Sequence, residues 1–200
     1  MKVFQLTVTA VLPLVLLGTA CAKGSDPKPD NAATTVVSQA PSITASLDPA
    51  PAQHNHGRSA VMFDPCTGIG DSVIEKIGFD PRTRKRDDYI DEDYSFIGCL
   101  FDQNGTVDGS VMNTHELRID SSNITLDEFR KRDAGKLTTV KVNGQDALMR
   151  KDGAETCFLD IPGPDGTLNF QFGVLDPHST ENPCDRAIAI AGVIQAAVPK

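Results

Sequence analysis

Five cysteines, one of them set directly behind an amino-terminal apolar run, constrain this 200-residue chain more than any other feature. Met1-Lys2 gives a short positive start. Val3 to Leu17 is then apolar apart from Gln5, two threonines and Pro13. The run is too short for a membrane span, which takes about 20 apolar residues. It fits the hydrophobic region of an export signal. Export places Cys66, Cys99, Cys157 and Cys184 where disulfides persist. Four cysteines imply two bridges and allow three pairings. They are widely scattered and contain no C-x-x-C spacing, which argues against a zinc site. We expect no metal and no cofactor.

Gly18-Thr19-Ala20-Cys21 resembles the lipobox of bacterial lipoproteins. In those proteins the cysteine sulfur takes a diacylglycerol and becomes the first residue. Gly18 stands where the box prefers Leu, and Leu17 lies one place further back. Plain cleavage after Ala20 is the competing reading. A free cysteine at the start of an exported chain would be an exposed reactive thiol, so we expect lipidation at Cys21. Two or three acyl chains are needed for lasting attachment, because one binds only marginally. The expected organisation is a signal over residues 1–20, a lipidated Cys and disordered linker over 21–60, and one globular domain over 61–200. The expected location is the extracytoplasmic face of the cell membrane, held there by the N-terminal lipid.

The linker is rich in Ala, Ser, Thr, Pro and Asp and lacks apolar periodicity, so burial cannot offset its ordering entropy. About forty flexible residues would reach roughly 35 Å on average. His54 and His56 are alternate residues within it. Without a third ligand nearby they read as polar linker rather than as a metal site. Removing residues 1–20 removes only Lys2, leaving 18 basic against 27 acidic residues, a net charge of −9. An acidic chain is a poor nucleic-acid binder, because phosphate contacts supply most of that affinity. The absence of Trp and an aromatic content of 6% argue against a carbohydrate platform.

The globular part opens at Phe63-Asp64-Pro65-Cys66. Ile69, Val73, Ile74 and Ile77 predict a helix over 67–77, closed by Gly78. Phe79-Asp80-Pro81 echoes the first motif. Arg82-Thr83-Arg84-Lys85-Arg86 precedes Asp87, Asp88, Asp91, Glu92 and Asp93, which reads as a self-compensating solvated loop. Strands are predicted over 96–101, 107–112 and 116–120, with a turn over 102–105. Thr125 and Glu128 form a capping box, with Ile124 and Phe129 as its hydrophobic staple. Asn143-Gly144 predicts a type I′ hairpin between 137–142 and 145–150. A second hairpin joins 155–161 to 167–174. Asn182 and Pro183 open a last helix whose stripe is Ala187, Ile190, Ala191, Ile194 and Val198.

The order of these motifs resembles an actinobacterial lipoprotein family, that of the domain of unknown function 3558. The match covers nearly all of residues 61–200: the two Phe-Asp-Pro motifs, then Cys99-Leu100-Phe101, Cys157-Phe158-Leu159 and Asn182-Pro183-Cys184. Phe101 replaces the usual Trp, and Asn182 the usual Asp. The resemblance implies location and fold, is similar to a PsbP-like sandwich, and carries over no catalytic residues. The fold class expected is α+β: a mainly antiparallel sheet packed against N-terminal, middle and C-terminal helices, disulfide-stapled, after a disordered tether. We expect bridges Cys99–Cys157, joining two strands, and Cys66–Cys184, joining two helix starts.

The chain has no G-x-S-x-G, S-x-x-K, H-E-x-x-H or P-loop motif. His115 and His178 are the histidines of the domain. The expected function is non-catalytic binding of an envelope protein or a small apolar ligand. The alternative is a hydrolase using His115 or His178 beside a carboxylate. An acid–His pair in a cleft would favour the enzyme, and a cavity lined by Phe and Leu would favour binding.

Overall fold

The computed structural model describes residues 41–199. The export signal, Cys21 and the linker through residue 40 lie outside the described residues. Two short helices come first, α1 (Pro65–Gly68) and α2 (Asp71–Lys76), followed by a 3-10 turn over Pro81–Thr83. Strands β1 (Lys85–Arg86), β2 (Tyr89–Ile90), β3 (Ser95–Val107) and β4 (Ser110–Ser122) lead to α3 (Leu126–Arg132). Strands β5 (Thr138–Val142), β6 (Gln145–Asp152), β7 (Thr156–Pro162) and β8 (Thr167–Val174) then lead to α4 (Pro183–Ala197). The eight strands form one antiparallel sheet in the order β1-β3-β4-β8-β7-β6-β5, with β2 also on β3. The fold is thus α+β, as expected.

The β3–β4 hairpin is longer than its sequence pattern suggests. The expected turn over 102–105 is continuous strand, and the expected strand over 107–112 contains the real turn. Asp108 and Gly109 both take positive φ, 48° and 79°, which is the type I′ geometry. Asp-Gly is one of the preferred pairs for that turn. Asn143 and Gly144 do the same between β5 and β6.

The two sheet faces differ. Ile97, Cys99 and Phe101 on β3 lie in register with Ser121, Ile119 and Leu117 on β4, then with Leu168, Phe170 and Phe172 on β8. This face packs against α1, α2 and α4 in the main core. The other face carries α3, whose Phe129 forms a smaller cluster with Ile124 and Leu148. The Thr125–Glu128 capping box is present, and its staple residues Ile124 and Phe129 are both buried.

The predicted single helix over 67–77 is two helices broken at Ile69-Gly70. Asp64 caps α1 by accepting from the Cys66 amide, and Pro65 takes the first helical position. Asp80 and Pro81 repeat this device on the 3-10 turn, which accounts for the echoed Phe-Asp-Pro. The break is held by Arg84. Its fully buried guanidinium donates to the Cys66 carbonyl at 2.8 Å and to Asp71 Oδ1 at 2.8 Å. It also lies 4.9 Å from the centre of the Phe101 ring. The basic run is therefore not a solvated loop throughout. Arg86 pairs with Asp64 and Asp88, while Arg82 is mostly exposed and pairs with Asp80.

Residues 41–60, expected within the disordered linker, lie along the domain as an extended strap. Ile43, Ala45 and Leu47 are half-buried, while the residues between them are exposed. Thr44 donates to Asp71, Asn55 accepts from Ser95, and Arg58 pairs with Glu128 at 2.5 Å. Composition missed this because every anchor, the polar ones and Leu47 against the main core alike, is a contact to residues distant in sequence.

The expected disulfides are corrected. The bridges are Cys66–Cys99 and Cys157–Cys184. Strands β4 and β8 separate Cys99 on β3 from Cys157 on β7. Three strand spacings come to about 14 Å, twice the reach of a disulfide. Each cysteine of a strand is instead bridged to the helix lying over it, α1 on β3 and α4 on β7. The bridges close loops of 33 and 27 residues, and each contributes about 3–4 kcal/mol in the chain-entropy model.

Two outcomes follow. Non-reduced tryptic mapping should recover Cys66–Cys99 and Cys157–Cys184 peptides. Recovery of Cys99–Cys157 would contradict the strand order. Arg84→Ala strands Asp71 and the Cys66 carbonyl, and should cost about 3–5 kcal/mol in chemical denaturation. A loss below about 1 kcal/mol, the value of a surface pair, would show that the buried ion pair is not what holds the helix break.

Candidate functional site

On the sheet face that carries α3, polar residues alternate with the core residues of the opposite face. Gly98, Asp120, Asn169, Asp160 and Leu148 form one cross-strand row from β3 to β6. Leu100, Arg118, Gln171, Phe158 and Arg150 form the next. These rows floor a cleft of about 430 Å³. Phe129 and Arg132 reach it from α3, Asp133, Lys136 and Leu137 from the segment just beyond, and Tyr89 and Phe96 from the sheet edge.

Asp120 is 7% exposed and accepts from Arg118 Nε at 3.0 Å. Burial pushes its carboxyl up to about 7 against the pull of Arg118, with Asp87 and Asp88 adding to the rise. Asp160 is half-buried and accepts from Asn169 Nδ2 at 2.7 Å. Burial raises it to about 6, opposed by the Asn169 hydrogen bond and by Arg132 and Arg150. Two strand spacings separate the two backbones, about 10 Å. Gly98 makes room for this arrangement. A Cβ there would lie 2.0 Å from Asp120 Oδ1 and 2.4 Å from the Asp87 carbonyl.

The walls are aromatic. The Arg150 guanidinium lies over Phe158 at 4.1 Å, and that of Arg132 over Phe129 at 4.5 Å. Tyr89, Tyr94 and Phe96 form a second aromatic group, with centroids 5.8–6.4 Å apart.

The histidines singled out in the sequence lie elsewhere. His115 stacks on Phe172 at 5.7 Å. Its Nδ1 is 3.1 Å from Thr114 Oγ1 and its Nε2 is 3.0 Å from Glu181 Oε2. Hydroxyl, imidazole and carboxylate are in the order a hydrolase needs. The Thr114 hydroxyl, however, is buried and also lies 3.0 Å from the Gln103 carbonyl, to which it donates. His178 pairs with Asp108 at 3.1 Å on an exposed surface. Neither histidine lines the cleft. His54 and His56 sit on the outer, exposed side of the strap. Among the described residues, no group of three or more His, Cys, Asp or Glu side chains could hold a metal ion. No described helix is long and apolar enough to cross a membrane.

A family model described as a protein of unknown function, DUF3558, matches residues 16–196. The chain belongs to the DUF3558 family. No curated protein and no solved structure matches it. Within this DUF3558 chain, the residues that carried the family resemblance are architectural. Asp64, Asp80 and Asn182 cap helical turns, Pro65, Pro81 and Pro183 start them, and the cysteines bridge helix to sheet. The cleft residues Asp120 and Asp160 were not singled out from sequence. Their only signal is a polar residue two places from a large one on each of β4, β7 and β8, and an ordinary solvent face gives the same pattern.

The raised carboxyls set a pH dependence for this DUF3558 domain. The folded state keeps protons on Asp120 and Asp160 that the unfolded chain releases near pH 4. Their contribution is complete below that pH and is lost as pH rises through about 6 and about 7. Thermal melts from pH 4.5 to 8 should fall by on the order of 10 °C, at about 1.4 kcal/mol per pKa unit and about 2–4 °C per kcal/mol. The double variant Asp120→Asn/Asp160→Asn should flatten that slope. An unchanged slope would show that neither carboxyl is raised above its ordinary range in the folded state.

Proposed function

We propose that this chain is a lipid-anchored protein on the extracytoplasmic face of the cell envelope, and that its folded part is a non-catalytic binding module. The cleft under α3 takes a small ligand with a largely apolar body. One observation carries the binding reading. The cleft is concave and walled by Phe96, Phe129, Phe158 and Tyr89, yet floored by hydrogen-bonding groups withdrawn from water. An apolar body fixed by a few convergent polar groups is the usual composition of a small-molecule site.

Anchoring rests on Cys21 behind its apolar run. The two disulfides agree with an oxidising compartment. The non-catalytic reading is supported by the commitments of His115 and Thr114, whose polar atoms already have partners away from the cleft under α3. A concave aromatic cleft also favours a small molecule over the flat contact of a protein partner.

Mass spectrometry of protein from its native host tests both parts. The intact mass should show Cys21 as the first residue carrying acyl chains. Native spectra should show a bound small molecule that Phe158→Ala, at a half-buried position, loses while the fold is retained. An unmodified amino end, or product mainly in the culture supernatant, would overturn the anchoring. Absence of a bound molecule in both proteins would count against the cleft.

A further inference from the structure

The cleft is a cationic spot on an acidic protein. Arg118, Arg132, Lys136 and Arg150 line it, against Asp120, Asp133 and Asp160. Two of the four cations are engaged. Arg118 pairs with Asp120 at 3.0 Å and Asp87 at 3.3 Å, and Arg132 with Asp133 at 2.8 Å. The other two are not tightly held. Arg150 reaches Asp152 only at 3.6 Å, and among the described residues Lys136 has no carboxylate within ion-pair distance. Arg150 and Arg132 lie over aromatic rings. A guanidinium resting on a ring keeps its N–H groups available for paired hydrogen bonds to a planar or tetrahedral anion. With Asp120 and Asp160 both neutral, the lining charge is +3, and with both ionised it is +1. Low-dielectric walls focus such a charge onto the cleft.

Resting on the reading of the cleft as a ligand site, we propose that its ligand is an amphipathic anion. Its aromatic or aliphatic body lies against Phe96, Phe129 and Phe158, its carboxylate, sulfonate or phosphate pairs with Arg150 and Lys136, and its binding takes up protons at Asp120 and Asp160.

The proton coupling follows from which groups face each carboxyl. Asp120 sees Arg118 from its own strand, Asp87 and Asp88 from the β1–β2 connection, and Asn169 from β8. Asp160 sees Asn169 from β8, Arg150 from β6, Arg132 from α3 and Asp133 from just beyond it. Asp160 and an incoming anion compete for Arg150, while Asp120, held by Arg118, meets the anion as a like charge across the same cleft. Binding raises their proton affinity further, and affinity falls as pH climbs from 5 to 8. A cationic ligand would show the opposite trend, since ionised carboxylates would welcome it.

A matched pair of probes separates the possibilities. Naphthalene-2-sulfonate keeps its charge from pH 5 to 8, and naphthalene-2-sulfonamide is its neutral isostere. Calorimetric titration uses the full chain in nanodiscs, with empty nanodiscs as the blank. The sulfonate should bind more tightly than the sulfonamide. Its affinity should drop about tenfold between pH 5 and pH 8, a shift of about one pKa unit being the ordinary effect of a near charge. Titration at pH 6.5 in two buffers of different ionisation enthalpy should report net proton uptake. Lys136→Gln/Arg150→Gln changes side chains that are exposed or half-exposed, so the fold is retained. It should weaken the sulfonate at least tenfold and leave the sulfonamide unchanged, about 1.4 kcal/mol being tenfold and two ion pairs being lost. Equal binding of the two probes, or no proton uptake, would overturn the anion inference and leave the cleft as a ligand site. Binding of neither probe would overturn both.

Discussion

One buried guanidinium holds together the part of the molecule that is otherwise hardest to explain. Arg84 touches the end of α1, the start of α2 and the ring of Phe101 on β3. Its ion partner, Asp71, also accepts from the backbone and side chain of Thr44. Burial alone would raise the Asp71 carboxyl, but the hydrogen bonds from Thr44 and Arg84 outweigh it and hold the carboxyl below its ordinary value. A charge this deep is tolerated only when it is paired and hydrogen-bonded. Strap, helices and sheet therefore meet at one polar node, beside the buried Cys66–Cys99 bridge.

The node and the bridges divide the work. The main core lies between one sheet face and α1, α2 and α4, and each helical end of it is stapled to the strand beneath. With that face secured, the opposite face is released from making a core. It carries only α3 and a small cluster around Phe129 and Leu148. The remainder is left concave, with carboxyls, amides and guanidiniums between aromatic rings. The same alternation of side chains that builds the core on one side thus builds the cleft on the other.

The protonation behaviour of the cleft is a consequence of this layering. Asp120 and Asp160 sit on strands flanking β8, in the middle of the sheet, where water is scarce. At an edge strand the same residues would be solvated and ordinary. Gly98 admits the Asp87 carbonyl and the Asp120 carboxyl to one place on β3, and the Asp87 and Asp88 carboxylates add like charge to the burial.

The sequence alone determined what depends on neighbours along the chain. The α3 capping box, the Asn143-Gly144 turn, the Asn182-Pro183 helix start and the alternation on β8 are local, and the structure contains each of them. It also determined the family, because ordered motifs survive as a pattern. It could not determine what depends on strand order. Cys99 and Cys157 looked like partners as two strand cysteines, until two intervening strands set them beyond bonding distance. Residues 41–60 looked unstructured until Asp71, Ser95 and Glu128 supplied distant anchors. The cleft is of the same kind. Asp160 and Asn169 face each other across the β7–β8 hairpin, but Asp120 lies dozens of residues before either and joins them only through the antiparallel pairing of β4 with β8. A one-dimensional pattern records which side of a strand a residue faces, but only the tertiary fold decides which strands lie side by side and which face is left uncovered.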